Sequence, residues 1–365
     1  MKDMSIHDDV VIFDDVSEER KIQRQQWKDL TLKLSETAYI KKIPIKLTME
    51  LTPECNLECK MCYVRLNKSE MKNIGRLLTA DEWITIAKDA AEEGTLYINL
   101  TGGEPLLHPE FEKIYVELSK LGCCVTLLTN AVNITEKTLE LLKKYPPVSI
   151  AVTLYGASEE TYQKVCNNGK AFNSVVNNIN RIKKALPNTP MNLSTTFIKD
   201  NINDLDGVIA IAKKMDLILN IDLNIIKAVR GAVRPEISEC RLSRDQVKNI
   251  LYEYIYKDFL SSPNEIGNLR KDRSFACTAG IGACVVTWDG KMIPCLMFST
   301  PYTDPVKNGF AQAWKELKEL RDKITAPERC INCKKSDFCG KCPAFIQAES
   351  GTYIDGESYS CESLY

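Results

Sequence analysis

The chain has 365 residues, is 44% hydrophobic and 27% charged, and carries a formal net charge of −1. That length accommodates one large or two ordinary domains with a substantial core, and near-neutrality gives no reason to expect nucleic acid or an anionic membrane as partner. Residues 1–16 carry Asp8, Asp9, Asp14 and Asp15 and no long apolar run, so neither a signal peptide nor a spanning helix is expected and the location read from the sequence is cytoplasmic.

Residues 1–42 read as an extension, with a short strand at 10–13 and a charged helix over 17–38. Ser17 caps that helix, and Trp27, Leu30, Leu32 and Leu34 give it an apolar stripe. Residues 43–242 read as the main domain. From Pro44 to about Leu223, short β-type runs alternate with longer helical patterns, the signature of a parallel sheet. Strands are expected at 45–51, 97–101, 124–129, 149–154, 192–198 and 218–224. Thr79-Ala80-Asp81-Glu82 has capping-box spacing ahead of Trp83, Ile84, Ile86 and Ala87, and a helical pattern over 135–144 ends at Pro146-Pro147. Six strand-helix units fit an open α/β barrel of (β/α)6 type, in which chemistry sits at the carboxyl ends of the strands.

Two motifs fall at such ends. Cys55-x3-Cys59-x2-Cys62 stands directly behind the first strand. Three thiolates at that spacing can hold three irons of a cubane cluster and leave the fourth iron for a ligand from outside the protein; with a distant fourth cysteine they would also satisfy tetrahedral zinc. Thr101-Gly102-Gly103-Glu104-Pro105 ends the second strand. Its glycines let backbone approach a ligand closely, and its carboxylate can bind an ammonium group; taken alone it also reads as a plain strand-to-helix turn.

Residues 243–365 begin with a helical stretch over 243–259 and a polar turn at Ser261-Ser262-Pro263, after which composition shifts toward cysteine. Of the 15 cysteines, which point toward metal or catalysis rather than disulfides, eight lie from Cys277 onward: Cys277-x6-Cys284-x10-Cys295, Cys330-x2-Cys333-x5-Cys339-x2-Cys342, and Cys361. They make two complete four-cysteine sets for clusters or structural zinc. Trp288-Asp289-Gly290-Lys291 reads as a hairpin turn between 285–287 and 292–293, expected to bring Cys284 and Cys295 together. Cys123, Cys124, Cys166 and Cys240 read as buried structural thiols.

The opening cysteine run with the glycine run resembles the radical S-adenosylmethionine superfamily, and the carboxyl-terminal cysteines resemble its SPASM extension. The resemblance covers nearly everything after Lys42 and implies a partial (β/α)6 barrel of the radical SAM type with a cysteine-rich extension. It implies S-adenosylmethionine and three 4Fe-4S clusters: the first on Cys55, Cys59 and Cys62, a nearer auxiliary cluster on Cys277, Cys284, Cys295 and Cys342, and a terminal one on Cys330, Cys333, Cys339 and Cys361. Two residues separate Cys339 from Cys342 where some relatives have three. For the cofactor, the family pattern places Met61 or Tyr63 against adenine, Gly102, Gly103, Glu104 and Pro105 at the methionyl amino group, and Asn130, Thr153 and Lys164 at the ribose and carboxylate. Relatives often have Ser in place of Thr153 and Arg in place of Lys164; Thr keeps the hydroxyl, whereas Lys loses the bidentate fork.

The implied activity is radical modification of a peptide or protein, with a ribosomally made peptide favoured and a crosslink or other oxidative change as the product. An external reductant such as flavodoxin or ferredoxin is implied. About forty amino-terminal residues cannot hold the complete winged-helix core that peptide-modifying relatives often carry there, so leader recognition would fall to another surface or a separate protein. Sulfatase maturation and tetrapyrrole side-chain decarboxylation are the alternatives within the superfamily. Leu296 stands where sulfatase-maturing relatives usually have a catalytic Asp. A non-catalytic iron-sulfur electron carrier is the alternative outside enzymes, and it would have no use for Gly102 to Pro105. With only His7 and His108, a histidine-based hydrolase is not expected.

Overall fold

The computed structural model describes residues 9–11, 30, 33–223, 225–234, 237–250, 277–325, 327–330, 333, 342–354 and 361. Among the described residues nine strands, β1 (Asp9–Val11), β2 (Lys46–Glu50), β3 (Tyr97–Thr101), β4 (Cys124–Thr129), β5 (Ser149–Thr153), β6 (Met191–Thr196), β7 (Ile218–Asp222), β8 (Ala283–Val286) and β9 (Met292–Ile293), form one sheet. Its order is β1-β7-β6-β5-β4-β3-β2-β8-β9. From β2 to β7 each strand pairs parallel with the next in sequence, as the alternation of apolar runs and helical patterns predicts, and the ends agree with the expected ones to about two residues. Most of the expected helix over 17–38 lies outside the described residues, but residues 33–41 are helical.

Alternation within the strands decides what each face carries. Leu47, Ile98, Leu100, Leu127, Ile150, Val152 and Leu193 join one buried cluster with Trp83, Ile114, Leu118, Val175 and Ile179 of the helices. Each such side chain contributes about 1.5–3 kcal/mol on burial. The opposite face is polar and only half-buried, with Asn99, Thr126, Ser149, Thr153, Ser194 and Asn220; Thr126 and Ser149 bond across it at 3.0 Å. The helix Ala80–Glu92 begins on the expected capping box, Thr79 accepting from the Glu82 amide and Glu82 from the Thr79 amide.

The β8–β9 hairpin also forms as expected, antiparallel and turned at Gly290 with φ 86°. What the sequence reading did not anticipate is where it docks. β8 pairs parallel with β2, Leu47 opposite Cys284, so a strand from the cysteine-rich extension completes the barrel sheet beside the strand that feeds the first cysteine loop.

Candidate cluster and cofactor site

Beyond the ends of β2 and β3 the pairing continues into the two motifs. The Leu51 amide donates to Thr101 O at 2.9 Å, Gly103 N to Thr52 O at 2.7 Å and Glu104 N to Glu54 O at 2.8 Å. A Cβ on Gly102 would lie 2.3 Å from Thr52 O, and one on Gly103 would lie 2.4 Å from Glu54 O. Both glycines are therefore required by the backbone of the cysteine loop. The close approach expected toward a ligand is, in this structure, an approach to residues 52–54. Pro105 is buried at the first turn of the 3-10 helix Pro105–Leu107 that follows.

Glu104 is 2% exposed. Its carboxylate accepts from Thr129 Oγ1 at 2.8 Å, Asn130 N at 2.8 Å and Leu106 N at 3.2 Å. All three donors are neutral, and burial pushes its pKa up to about 7 against their opposing effect. A desolvated carboxylate with spare lone pairs and, among the described residues, no cation paired with it suits an incoming ammonium. Asn130 ties this network to the cysteines: its Nδ2 donates to Asn56 Oδ1 at 2.7 Å and to Cys55 Sγ at 3.4 Å. Thr129, which orients both Glu104 and the Ala131 amide, falls with Asn130 at a strand's carboxyl end, where the sequence already places chemistry, although the sequence assigns it no role of its own.

The three loop cysteines feel one another electrostatically. Burial pushes the Cys55 thiol up to about 12, with the charges of Cys59 and Cys62 adding to the rise, and burial likewise raises Cys62, again with Cys59 contributing. Amides are nonetheless aimed at the sulfurs: Leu57 N donates to Cys55 Sγ at 3.4 Å, and the Val64 and Arg65 amides favour the Cys62 anion. Desolvated thiols provided with N–H donors fit a role as metal-bound thiolates, since coordination removes the proton that burial otherwise retains. Among the described residues, no three Cys, His, Asp or Glu side chains form a group that could hold a single metal ion.

Met61 and Tyr63 go different ways. Met61 is buried in the main core beside Leu57 and Cys59. Tyr63 packs against the cluster of Val64, Ile226, Val229 and Phe345, as do Met297 and Cys342 of the extension, and its buried hydroxyl lies in the field of Arg230, Glu50, Cys62 and Cys295. Tyr63 therefore faces the extension, which leaves Met61 as the candidate on the core side. Thr153 is half-buried at the end of β5 on the polar face. Lys164 does not join the site, because its helix turns it outward, 54% exposed, onto Glu160 one turn back at 2.7 Å.

In the extension, Cys277 and Cys342 both act electrostatically on Cys295, whose thiol burial pushes well up. Cys284 is not among them. Strand alternation puts Val285, Ile293 and Cys295 on one face and turns Cys284, 1% exposed, into the barrel core with Leu47 and Met49. The expectation that the hairpin unites Cys284 with Cys295 is thus corrected by a one-residue offset in register. Cys330, like Cys295 and Cys342, packs against the cluster of Val285, Ile293, Phe298, Ile324 and Ala344, Cys333 is exposed and Cys361 half-buried, and Cys339 lies outside the described residues.

Comparison with known proteins follows this geometry. The sequence model of the Radical SAM superfamily matches residues 49–211. AdoMet-dependent heme synthase of Methanosarcina barkeri is 24% identical over 339 residues, covering 87% of this chain and 96% of that protein. The sporulation killing factor maturation protein SkfB of Bacillus subtilis is 26% identical over 298 residues, covering 80% and 69%. Among solved structures, Streptococcus suis SuiB bound to precursor peptide SuiA superposes with TM-score 0.62 at 14% identity, covering 95% of this chain and 82% of that one. The likeness of SuiB is one of fold.

Proposed function

We propose that the chain, whose residues 49–211 match the Radical SAM superfamily, is a peptide maturase, taking a hydrogen atom from a ribosomally made peptide to install a crosslink or another oxidative modification. When bound, the first iron-sulfur cluster and S-adenosylmethionine supply the 5'-deoxyadenosyl radical for that step. Cys55, Cys59 and Cys62 would hold the cluster, Glu104 would receive the methionyl ammonium, Asn130 would fix Cys55 and Glu104 in one network, and Met61 and Thr153 would contact the nucleoside. Cys277, Cys295 and Cys342 would hold the nearer auxiliary cluster of a SPASM-type extension, without Cys284. Cys330, Cys333, Cys339 and Cys361 are assigned to the terminal one. A flavodoxin or ferredoxin would donate electrons in the cytoplasm.

The observation that carries this reading is the shared wall between the two cysteine regions, where Cys62 and Tyr63 of the first loop and Met297 and Cys342 of the extension pack against one cluster of Val64, Ile226, Val229 and Phe345. That proximity suits an oxidative modification that needs a second electron acceptor. SkfB is named as a maturation protein and SuiB was solved with its precursor peptide, which supports a peptide substrate. A second reading, tetrapyrrole side-chain modification, is favoured by the match to 96% of the heme synthase. Anaerobic turnover with short peptides encoded beside the gene, and separately with a carboxylated tetrapyrrole, distinguishes them by mass spectrometry. A modified peptide together with 5'-deoxyadenosine is the expected result; turnover of the tetrapyrrole alone would replace the first reading by the second.

A further inference from the structure

The helix Glu159–Cys166 starts on a Ser158 cap and ends at Asn167 with φ 54°. Its last turn abuts the first cysteine loop, where Glu58 N donates to Cys166 O at 3.1 Å and Lys60 N to Val165 O at 3.0 Å. Two loop amides flanking Cys59 thereby satisfy carbonyls that a helix end leaves open, and the contact fixes Cys166 Sγ 3.6 Å from Cys59 Sγ. Cys166 is fully buried and Cys59 only 7% exposed. A structural thiol that merely filled core would need no such partner.

Tyr155 reaches the same sulfur. Its hydroxyl favours the Cys59 anion, its amide donates to Tyr162 Oη at 3.2 Å, and its carbonyl accepts from Asn201 Nδ2 at 2.9 Å, so the residue is held at both backbone groups. Either thiol can donate across this 3.6 Å contact. As a metal ligand Cys59 has no proton, so the remaining S–H lies on Cys166 and Cys166 is the donor. Cys59 then receives two side-chain donors, against one, Asn130, on Cys55.

We propose that Cys166 is a positioning residue for the first cluster: its thiol, together with the Tyr155 hydroxyl, donates to the Cys59 sulfur and raises the reduction potential of that cluster. The physical ground is that reduction adds negative charge to the cluster, and hydrogen bonds to its sulfurs stabilise that charge. The inference rests on the reading above that Cys55, Cys59 and Cys62 hold an iron-sulfur cluster.

The test is a redox titration of the reconstituted protein followed by electron paramagnetic resonance, the first-cluster signal being the one lost in the Cys55→Ala, Cys59→Ala, Cys62→Ala protein. Cys166→Ala should retain the iron content of the parent and shift that midpoint to a more negative potential, with Tyr155→Phe shifting it in the same direction. Cys166→Ser, which keeps a donor, should fall between Cys166→Ala and the parent, and it carries the test where the alanine variant does not assemble. Of the proton couplings to the cluster that disappear on exchange into D2O, one present in the parent should be missing in Cys166→Ala. An unmoved midpoint and an unchanged coupling at full iron content would overturn the proposal. So would loss of first-cluster iron in Cys166→Ala with retention in Cys59→Ala, which would make Cys166 the ligand. A parent without the signal would instead remove the cluster reading itself.

Discussion

Arg230 and Glu50 form a buried fork across the boundary between barrel and extension. Nη2 of Arg230 lies 3.0 and 3.2 Å from the two oxygens of Glu50, and Nη1 donates to the carbonyls of Leu296 and Phe298. Their side chains are 10% and 1% exposed. Glu50 ends the strand that feeds Cys55, and Leu296 follows Cys295, so one guanidinium fastens both cysteine regions. Arg230→Ala leaves the carboxylate buried without its cation and should cost about 3–5 kcal/mol of stability. Arg230→Met with Glu50→Gln should lose much less. Denaturant unfolding of the three proteins checks this; equal losses would mean that the charge pairing is not what matters.

The raised pKa of Glu104 gives S-adenosylmethionine binding a pH dependence. Its value moves from the ordinary 4.5 up to about 7, chiefly by burial, so its contribution to stability in the cofactor-free protein is full below about 4.5 and is lost as pH rises through about 7. An ammonium beside the carboxylate favours the ionised form. Affinity should therefore strengthen with rising pH, by up to about tenfold per unit below 7, and level off above. Glu104→Gln should abolish this slope and weaken binding by roughly 1.5–3 kcal/mol. Calorimetry between pH 5.5 and 8.5 reads both effects, and a flat profile in the parent would exclude Glu104 from the ammonium site.

The opposite facings of Cys284 and Cys295 predict different outcomes on substitution. Cys284→Ala should leave the iron content unchanged, at about twelve per chain if three cubanes assemble, and lower stability by the cavity it leaves. Cys342→Ala should lose about four irons and still cleave S-adenosylmethionine, forming 5'-deoxyadenosine without modified peptide. Iron analysis with simultaneous product mass spectrometry separates these results; iron loss in Cys284→Ala would restore that residue as a ligand.

Gly103→Ala places a methyl 2.4 Å from Glu54 O and 2.6 Å from Pro53 O. Neither carbonyl can yield without moving the cysteine loop, so a stability loss of about 1–3 kcal/mol is expected, together with selective loss of first-cluster iron. Full iron retention would show that the loop adapts.

The strands and both cysteine runs were legible because they rest on local signals: alternation, capping boxes, glycine at a strand end and the spacing of thiols. The four-residue spacing of Cys55 and Cys59 says nothing, however, about Cys166, which is 107 positions away from Cys59. Likewise the hairpin turn was readable while the facing of Cys284 was not, because a two-residue strand fixes its register through tertiary packing rather than through its own pattern. The sequence leaves open whether Met61 or Tyr63 contacts adenine, because neighbouring positions in an irregular loop need not share a face. Lys164 shows the converse, a matching position whose helix turns the side chain to solvent.

The parallel pairing of β8 with β2 has a consequence for biosynthesis. Residue 46 must wait for residue 283, so until the last quarter of the chain has been made β2 is an edge with a row of unpaired backbone groups, the kind of edge that recruits foreign strands. Closing so long a separation is slow. A fragment ending at residue 242 keeps the six expected strands and both cofactor motifs but leaves that edge permanently open, and its fate should be aggregation rather than an autonomous barrel. The first cysteine loop thus acquires its supporting strand only after residues 283–286 have been made.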